Sequence, residues 1–220
     1  MFDHPKNEMF YTTGEEIFNA VSHGVGSVLA IGGTGALLAL STWQNFWVYL
    51  IYGLSLVLLY TMSTLYHAFP QAKLKHIFRI FDHASIFILI AGSYTPFTLI
   101  LLGNTVKGPI ICAVVWTAAV LGVILNCFSV EKFAKLSMLL YVAMGWAVVF
   151  AIGDVVHALP PAGFWLLLLG GIAYTGGIVF YAWHKKFHTH YMHGVWHLFV
   201  LLGSILHYLC ILLYVVPVHP

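Results

Sequence analysis

Residues 17–72 form the longest uncharged stretch of the chain and read IFNAVSHGVGSVLAIGGTGALLALSTWQNFWVYLIYGLSLVLLYTMSTLYHAFPQA. This stretch is 56 residues long and contains no Lys, Arg, Asp or Glu. A helix that crosses a membrane needs about 20 predominantly apolar residues. The stretch therefore predicts two membrane-spanning helices, joined by the polar and aromatic turn STWQN at residues 41–45.

Further uncharged intervals follow along the chain. A charged residue at the centre of a membrane helix costs about 2.5–3.5 kcal/mol, so helices are expected where charges are missing. Such intervals cover residues 83–106, 108–130, 136–153, 155–184 and 187–220. Each interval has room for one helix. We therefore predict seven helices, at residues 17–40, 46–69, 78–102, 109–128, 134–153, 162–183 and 193–216.

The composition of the whole chain agrees with a membrane protein. Of the 220 residues, 61% are hydrophobic and 7% are charged, whereas a water-soluble domain carries about 25% charged residues. The apolar runs lack the two-residue alternation of a membrane β-barrel. The predicted fold class is an all-α membrane protein, a seven-transmembrane helix bundle. It comprises a short N-terminal segment 1–16, a single helical domain 17–216 and a C-terminal tail 217–220.

Charge and cysteine content exclude several other classes. A net charge of +2 provides no basic surface, so no nucleic-acid partner is expected. The three cysteines lie apart in apolar runs, without the spacing of a disulfide framework or a thiolate metal site. The first sixteen residues are polar and acidic, unlike a cleaved signal peptide.

The basic residues predict the orientation of the bundle. With seven spans, eight of the nine Lys and Arg residues fall on the side of the N-terminus, and only Lys107 falls on the other side. Because basic loops stay on the cytoplasmic side, the N-terminus is predicted to be cytoplasmic and the C-terminus to lie outside.

The chain contains 13 histidines, and some of them fall at one depth in the predicted bundle. His67 precedes Lys73 by six residues, which places it about 9 Å from the cytoplasmic end of its helix. His193 and His197 open the seventh helix, where their four-residue spacing puts both rings on one face. Asp82 lies near the start of the third helix. These side chains are therefore expected to meet in the cytoplasmic half of the membrane.

Three imidazoles at one depth are typical of a zinc site with an open fourth position for water. We predict that His67, His193 and His197 bind Zn²⁺. Asp82 is expected either to be a fourth ligand or, preferably, to accept a hydrogen bond from the metal-bound water. An ionisable residue inside a membrane is a functional candidate by default. The alternative is a polar hydrogen-bond network that joins helices two, three and seven without metal.

Several other polar residues lie near the predicted site or in the loops. Asn19, His23, His83 and His207 are expected to line a cavity next to the site. The histidines of the basic loop before the last helix are expected to contact water or lipid headgroups, namely His184, His188 and His190. Pairs of small residues at 32–35, 170–171 and 176–177 are expected to mark close contacts between helices.

Several motifs together resemble a known family. These are Glu16-Ile-Phe-Asn19-Ala-Val-Ser-His23-Gly24, Ser63-Thr-Leu-Tyr-His67, Phe81-Asp82-His83 with AGSYTP at 91–96, and His193-Gly-Val-Trp-His197 with His207. In this order they resemble the hemolysin III family, which belongs with the progestin and adipoQ receptors and is similar to the alkaline ceramidases.

The resemblance implies a receptor-like seven-helix bundle with zinc near the cytoplasmic side. Carried over residue by residue, the ligands would be His67, His193 and His197. Asp82 would hold the zinc-bound water, and Ser63 would lie next to the site without ligating the metal. The chain lacks the long N-terminal extension of the animal receptors, so hormone recognition is not expected.

The function predicted from residues and resemblance is metal-dependent hydrolysis of a lipid amide or ester from the cytoplasmic leaflet, with Asp82 as general base. A membrane lipid is then the expected substrate or ligand. One alternative is a receptor-like sensor or regulator of membrane homeostasis with a structural zinc. Another is a pore-forming cytolysin, which a chain confined to the membrane disfavours. The expected location is a bacterial inner membrane.

Overall fold

The structure is a computed structural model that describes residues 11–187 and 189–217. Within these ranges the chain is helical, without a strand, and seven helices are long and apolar enough to cross a membrane. This confirms the predicted all-α membrane fold. The helices are Thr13–Leu40 (α1), Phe46–Ala68 (α2), Ala72–Leu101 (α3), Lys107–Phe128 (α4), Val130–Ala158 (α5), Pro161–Phe187 (α6) and Met192–Val215 (α7).

Three helices begin four to six residues earlier than predicted, and two of these three begin where a side chain caps the helix. α1 begins at Thr13, where the Thr12 side chain and the Glu15 side chain form a reciprocal capping box. α5 begins at Val130 because the Ser129 hydroxyl accepts a hydrogen bond from the Lys132 amide. α3 begins at Ala72, six residues before the predicted start, so its first turns carry the basic residues of the predicted loop. Asp82 therefore lies almost three turns inside α3 rather than one.

The order of packing places the first and the last helix side by side. Successive helices contact one another from α1 to α4, and α6 packs along α7. α7 also returns to contact α1, which closes the bundle. α3 is the most buried of the seven helices. The first turns of α1, the last turns of α2 and the first turns of α7 thus meet at one end.

Three helices change their winding within the described structure, and α7 does so in its last turn, Ile211–Val215, which is π-helical. α3 passes into a π-helical turn at Phe97–Leu101, directly after Pro96, which has no amide hydrogen to donate. α5 is interrupted by a 3₁₀ segment, Ala147–Ala151. The Tyr94 hydroxyl hydrogen-bonds two backbone groups at this interruption. It donates to the Gly145 carbonyl at 2.8 Å and accepts from the Val148 amide at 2.9 Å.

The predicted glycine contacts are only partly present. A Cβ atom at Gly33 would lie 2.9 Å from the Tyr208 ring, and one at Gly170 would overlap the His207 ring. By contrast, Cβ atoms at Gly32, Gly35 and Gly171 would meet no atom of the described residues within 4 Å. The prediction was wrong for these three, because adjacent residues of a helix face directions about 100° apart.

Candidate metal centre

Three buried histidines converge at the end of the bundle where α1, α2 and α7 meet. His67 on α2 and His193 and His197 on α7 each offer one ring nitrogen, and these three atoms lie within 4.8 Å of one another. The Nε2 atoms of His193 and His197 are 3.1 Å apart. Two nitrogens bound to one tetrahedral zinc at 2.0–2.1 Å would be separated by about 3.3 Å. The α7 pair is therefore already spaced as two ligands of one ion.

Hydrogen bonding determines which nitrogen of His67 faces the centre. Its Nδ1 atom lies 2.6 Å from Oε2 of Glu16 on α1. A carboxylate can only accept, so Nδ1 carries a proton, and in the neutral ring Nε2 then keeps its lone pair. That Nε2 atom is buried and has no hydrogen-bond partner among the described residues. Glu16 on α1 thus orients His67, a candidate metal ligand on α2.

The same reasoning applies to His197. Its Nδ1 atom lies 3.3 Å from the Ser22 hydroxyl, and that hydroxyl donates its own proton to the Asn19 carbonyl at 2.9 Å. The hydroxyl oxygen therefore accepts from Nδ1, and Nε2 of His197 again keeps its lone pair. A proton on Nε2 of His193 would join the α7 pair alone, whereas a cation would bind the lone pairs of all three Nε2 atoms. Nδ1 of His193 is buried and has no hydrogen-bond partner in the described structure. The donor set fits a metal ion of the zinc type.

Asp82 lies beside this group and is not a member of it. The residue is 6% exposed, and its carboxylate interacts with Ser63, His67 and His83. The Ser63 hydroxyl is buried beside this carboxylate and makes no hydrogen bond within the described structure. Nδ1 of His83 lies 3.0 Å from the Arg79 carbonyl and 3.4 Å from Oδ2 of Asp82. The geometry thus offers three ligands, with a carboxylate and a hydroxyl next to them.

An apolar cavity begins at Asp82 and extends towards the opposite end of the bundle. Its volume is about 120 Å³, and both His23 and His207 line it. A second cavity of about 80 Å³ continues beyond His207 between α3, α5 and α6. Asn19 and His83 are not among the residues that line either cavity in the described structure. The His23 ring stacks on His197 with 3.6 Å between ring centroids, and neither of its nitrogens has a hydrogen-bond partner there.

One loop histidine is placed differently from its prediction. His184 is 5% exposed, its Nδ1 atom lies 2.9 Å from the Thr189 carbonyl, and its ring centroid is 6.1 Å from that of His193. The prediction of a solvated residue was wrong because α6 continues to Phe187 and carries His184 on its inner face. The His190 side chain is 71% exposed, as expected for a loop residue. His188 lies outside the described residues.

Two further contacts with the cluster were not predicted. Tyr11 stacks on His184 at 5.2 Å and lies 5.5 Å and 5.0 Å from the rings of His67 and His193. Burial raises the pKa of Tyr11 well above its usual value, so this ring covers the cluster as a neutral phenol. Glu16 could have been found, because Glu16, Asn19 and His23 are spaced to share one face of a helix. Tyr11 had no such signal.

Comparison with known proteins places these residues in a family. The family model described as Haemolysin-III related matches residues 11–208. The chain is 41% identical to Hemolysin-3 of Bacillus cereus over 210 residues, which is 92% of this chain and 93% of that protein. It is also 41% identical to a Hemolysin-3 homolog of Bacillus subtilis (strain 168), over 94% and 98% of the two chains.

The chain is also similar, at lower identity, to a mammalian protein. The chain is 28% identical to the monocyte to macrophage differentiation factor of Homo sapiens over 210 residues. The match covers 91% of this chain and 84% of the human protein. The family-model match, residues 11–208, includes His67, His193 and His197.

Proposed function

The chain belongs to the hemolysin III family, and from that premise we propose that it is a zinc-binding membrane hydrolase acting on a lipid amide or ester. One observation carries the proposal. The three imidazoles of His67, His193 and His197 lie next to the buried Asp82 carboxylate, and Asp82 lines an apolar cavity inside the bundle. A site of this kind can present a polar reacting group and an apolar chain-binding volume together.

The residues around the site have distinct tasks in such a reaction. A zinc ion held by His67, His193 and His197 would supply Lewis acidity and a water of lowered pKa. The Asp82 carboxylate takes the proton as the water oxygen bonds to the carbonyl carbon. It returns that proton to the leaving nitrogen or oxygen as the bond to it breaks. The Ser63 hydroxyl orients the carboxylate, and the cavity walls exclude bulk water.

The substrate would enter from the cytoplasmic leaflet. The end of the bundle that carries the cluster also carries Lys75 on α3 and Lys185 and Lys186 on α6. Lys107 lies at the other end, where its amine is 2.8 Å from a carboxylate oxygen of Asp154. By the positive-inside rule the cluster faces the cytoplasm, and we propose a bacterial inner membrane as the location.

The proposal is tested by Asp82→Asn in the purified protein, with a panel of ceramide-like amides and lipid esters as substrates. We expect turnover to be lost while zinc content and thermal stability are kept, because Asn cannot accept the proton. Asp154→Asn, at the other end of the bundle, is the matched control and should retain turnover. If no lipid of the panel is hydrolysed by the wild-type protein, the hydrolase proposal fails.

A second candidate is a receptor-like regulator with a structural zinc. It is supported by the way the three ligands join α2 to α7, since a shared ion would hold these helices together. In that case removal of zinc lowers the thermal stability of the protein. The wild-type protein then hydrolyses no lipid, so Asp82→Asn has no turnover to abolish. Direct cytolysis, suggested by the names of the Bacillus relatives, is disfavoured because seven apolar spans keep the chain in its own membrane.

A further inference from the structure

Glu16 contacts the metal cluster without belonging to it. We propose that Glu16 is a positioning residue that fixes the tautomer and orientation of His67, and that Lys75 holds Glu16 in place. This inference rests on the proposed zinc site. Neither residue would touch the metal or a substrate. Their role would be to prepare one ligand for metal binding.

The two oxygens of Glu16 have different partners. Oε2 lies 2.6 Å from Nδ1 of His67, and Oε1 lies 2.6 Å from Nζ of Lys75. Lys75 is itself anchored, because its amine donates to the Tyr66 carbonyl at 3.1 Å and lies 4.8 Å from the centre of the Tyr66 ring. Each oxygen of the carboxylate is thus occupied in a fixed direction, and the side chain cannot rotate freely.

Burial decreases along this chain of contacts from the ligand outwards. The His67 side chain is 0% exposed, that of Glu16 is 19% exposed and that of Lys75 is 27% exposed. A buried imidazole has no water to satisfy Nδ1, so without Glu16 the proton could move to Nε2. A proton on Nε2 occupies the lone pair that a metal ion needs. The carboxylate therefore keeps the metal-binding nitrogen free and raises its basicity.

The neighbouring residue shows that this contact is specific. Glu15 is adjacent in sequence, and its carboxylate accepts from the Thr12 amide at 2.8 Å and from the Tyr191 amide at 2.9 Å. Glu15 therefore caps α1 and binds the start of α7, with no contact to His67. Consecutive helix residues point about 100° apart, so only Glu16 faces α2.

A simpler role would be that of a salt bridge between helices. Glu16 lies on α1, His67 on α2 and Lys75 on α3, so the three could merely hold these helices together. A salt bridge alone would affect the stability of the fold and leave the metal affinity of the folded protein unchanged. A positioning residue changes the metal affinity. The two roles are therefore separated by measuring both quantities.

The experiment uses the purified full-length chain in detergent, titrated with Zn²⁺ against a chelator and with Co²⁺ followed by its visible absorption. We expect Glu16→Ala to weaken Zn²⁺ binding by about 10–100-fold, the usual effect of removing a partner of a metal-binding histidine. Glu16→Gln should weaken it less, because the amide oxygen still accepts from Nδ1. The Co²⁺ spectrum should change in both variants, since the orientation of one ligand changes.

The matched control is Glu131→Gln. Glu131 on α5 forms a salt bridge with Arg79 on α3 and contacts none of the three cluster histidines in the described structure. It should leave Zn²⁺ affinity and the Co²⁺ spectrum unchanged. Should Glu16→Ala fail to fold, Glu16→Gln, which keeps the size and the acceptor, carries the test.

The possible outcomes separate the two proposals. If the wild-type protein binds Zn²⁺ and both Glu16 variants bind it equally well, the positioning role is overturned while the metal site stands. Lower thermal stability with unchanged affinity would assign Glu16 to helix packing alone. If the wild-type protein binds no metal, the proposed function and the inference from it both fall.

Discussion

The Nε2 atoms of His193 and His197 face each other at 3.1 Å across one turn of α7. The Ser22 hydroxyl accepts from Nδ1 of His197, so the Nε2 lone pair of that ring is directed at its neighbour. Such a pair is stable only with a proton or a cation between the two nitrogens. Since Nε2 of His67 is also buried and unpartnered in the described structure, a single cation is the more complete solution.

Removal of one ligand should abolish stable metal binding. We expect His197→Ala to lower the zinc content from about one ion per chain to near none, because two imidazoles bind zinc far more weakly than three. Elemental analysis of the purified protein measures this directly. His190→Ala removes an exposed histidine and should leave the content unchanged. Equal zinc in the wild type and His197→Ala would argue against the site.

Tyr11 should slow the exchange of the metal with the solvent. Its ring contacts His67, His184 and His193, so Tyr11→Ala would uncover the cluster. We expect zinc to be lost to a chelator several-fold faster, with little change in the number of ions bound at equilibrium. Stopped-flow mixing with a coloured chelator gives the rate. A variant at the far end, Tyr214→Ala, is the control, and equal rates for Tyr11→Ala and wild type would refute the covering role.

Two glycines of α1 should differ in their response to one added methyl group. A Cβ at Gly26 would lie 2.6 Å from the Tyr60 ring, while a Cβ at Gly32 would meet no atom within 4 Å in the part of the chain that the structure describes. The Tyr60 ring cannot withdraw freely, because its hydroxyl donates to Ser204 at 2.7 Å. We expect Gly26→Ala to lower the free energy of unfolding by about 1–3 kcal/mol.

Gly32→Ala provides the matched control for this pair. It should be neutral or raise the free energy of unfolding by about 0.5–1 kcal/mol, since Ala favours a helix over Gly. Denaturant unfolding in detergent, followed by circular dichroism, compares the two variants. Equal stability of Gly26→Ala and Gly32→Ala would contradict the close packing of α1 at Gly26 against the Tyr60 ring.

The orientation in the membrane can be tested by cysteine labelling. The background is Cys127→Ser, because Cys127 is exposed while Cys112 and Cys210 are buried. In intact cells a membrane-impermeant maleimide should label Lys107→Cys and should label Lys132→Cys only after lysis, as the positive-inside rule requires. Labelling of Lys132→Cys in intact cells would reverse the predicted orientation.

The number of helices and their approximate positions followed from the sequence, because lipid gives no partner to charged groups or to unpaired backbone. Helix ends were less accurate: the start of α3 at Ala72 depends on local backbone geometry, and its basic first turns resembled a loop. The spacing of His193 and His197 is likewise local, since a four-residue step on a helix always places two side chains on one face.

Contacts between residues on different helices could be identified only from the folded bundle. Depth along a helix can be counted from sequence, so His67 could be placed near the α7 pair. The rotation of each helix about its axis and the choice of its neighbours arise from side-chain packing over the whole bundle. The contact between Glu16 and His67, the inward position of His184 and the Tyr11 ring over the cluster all depend on that packing. The amino-acid order thus determined which groups lie at one depth, and the packed bundle decided which of them touch.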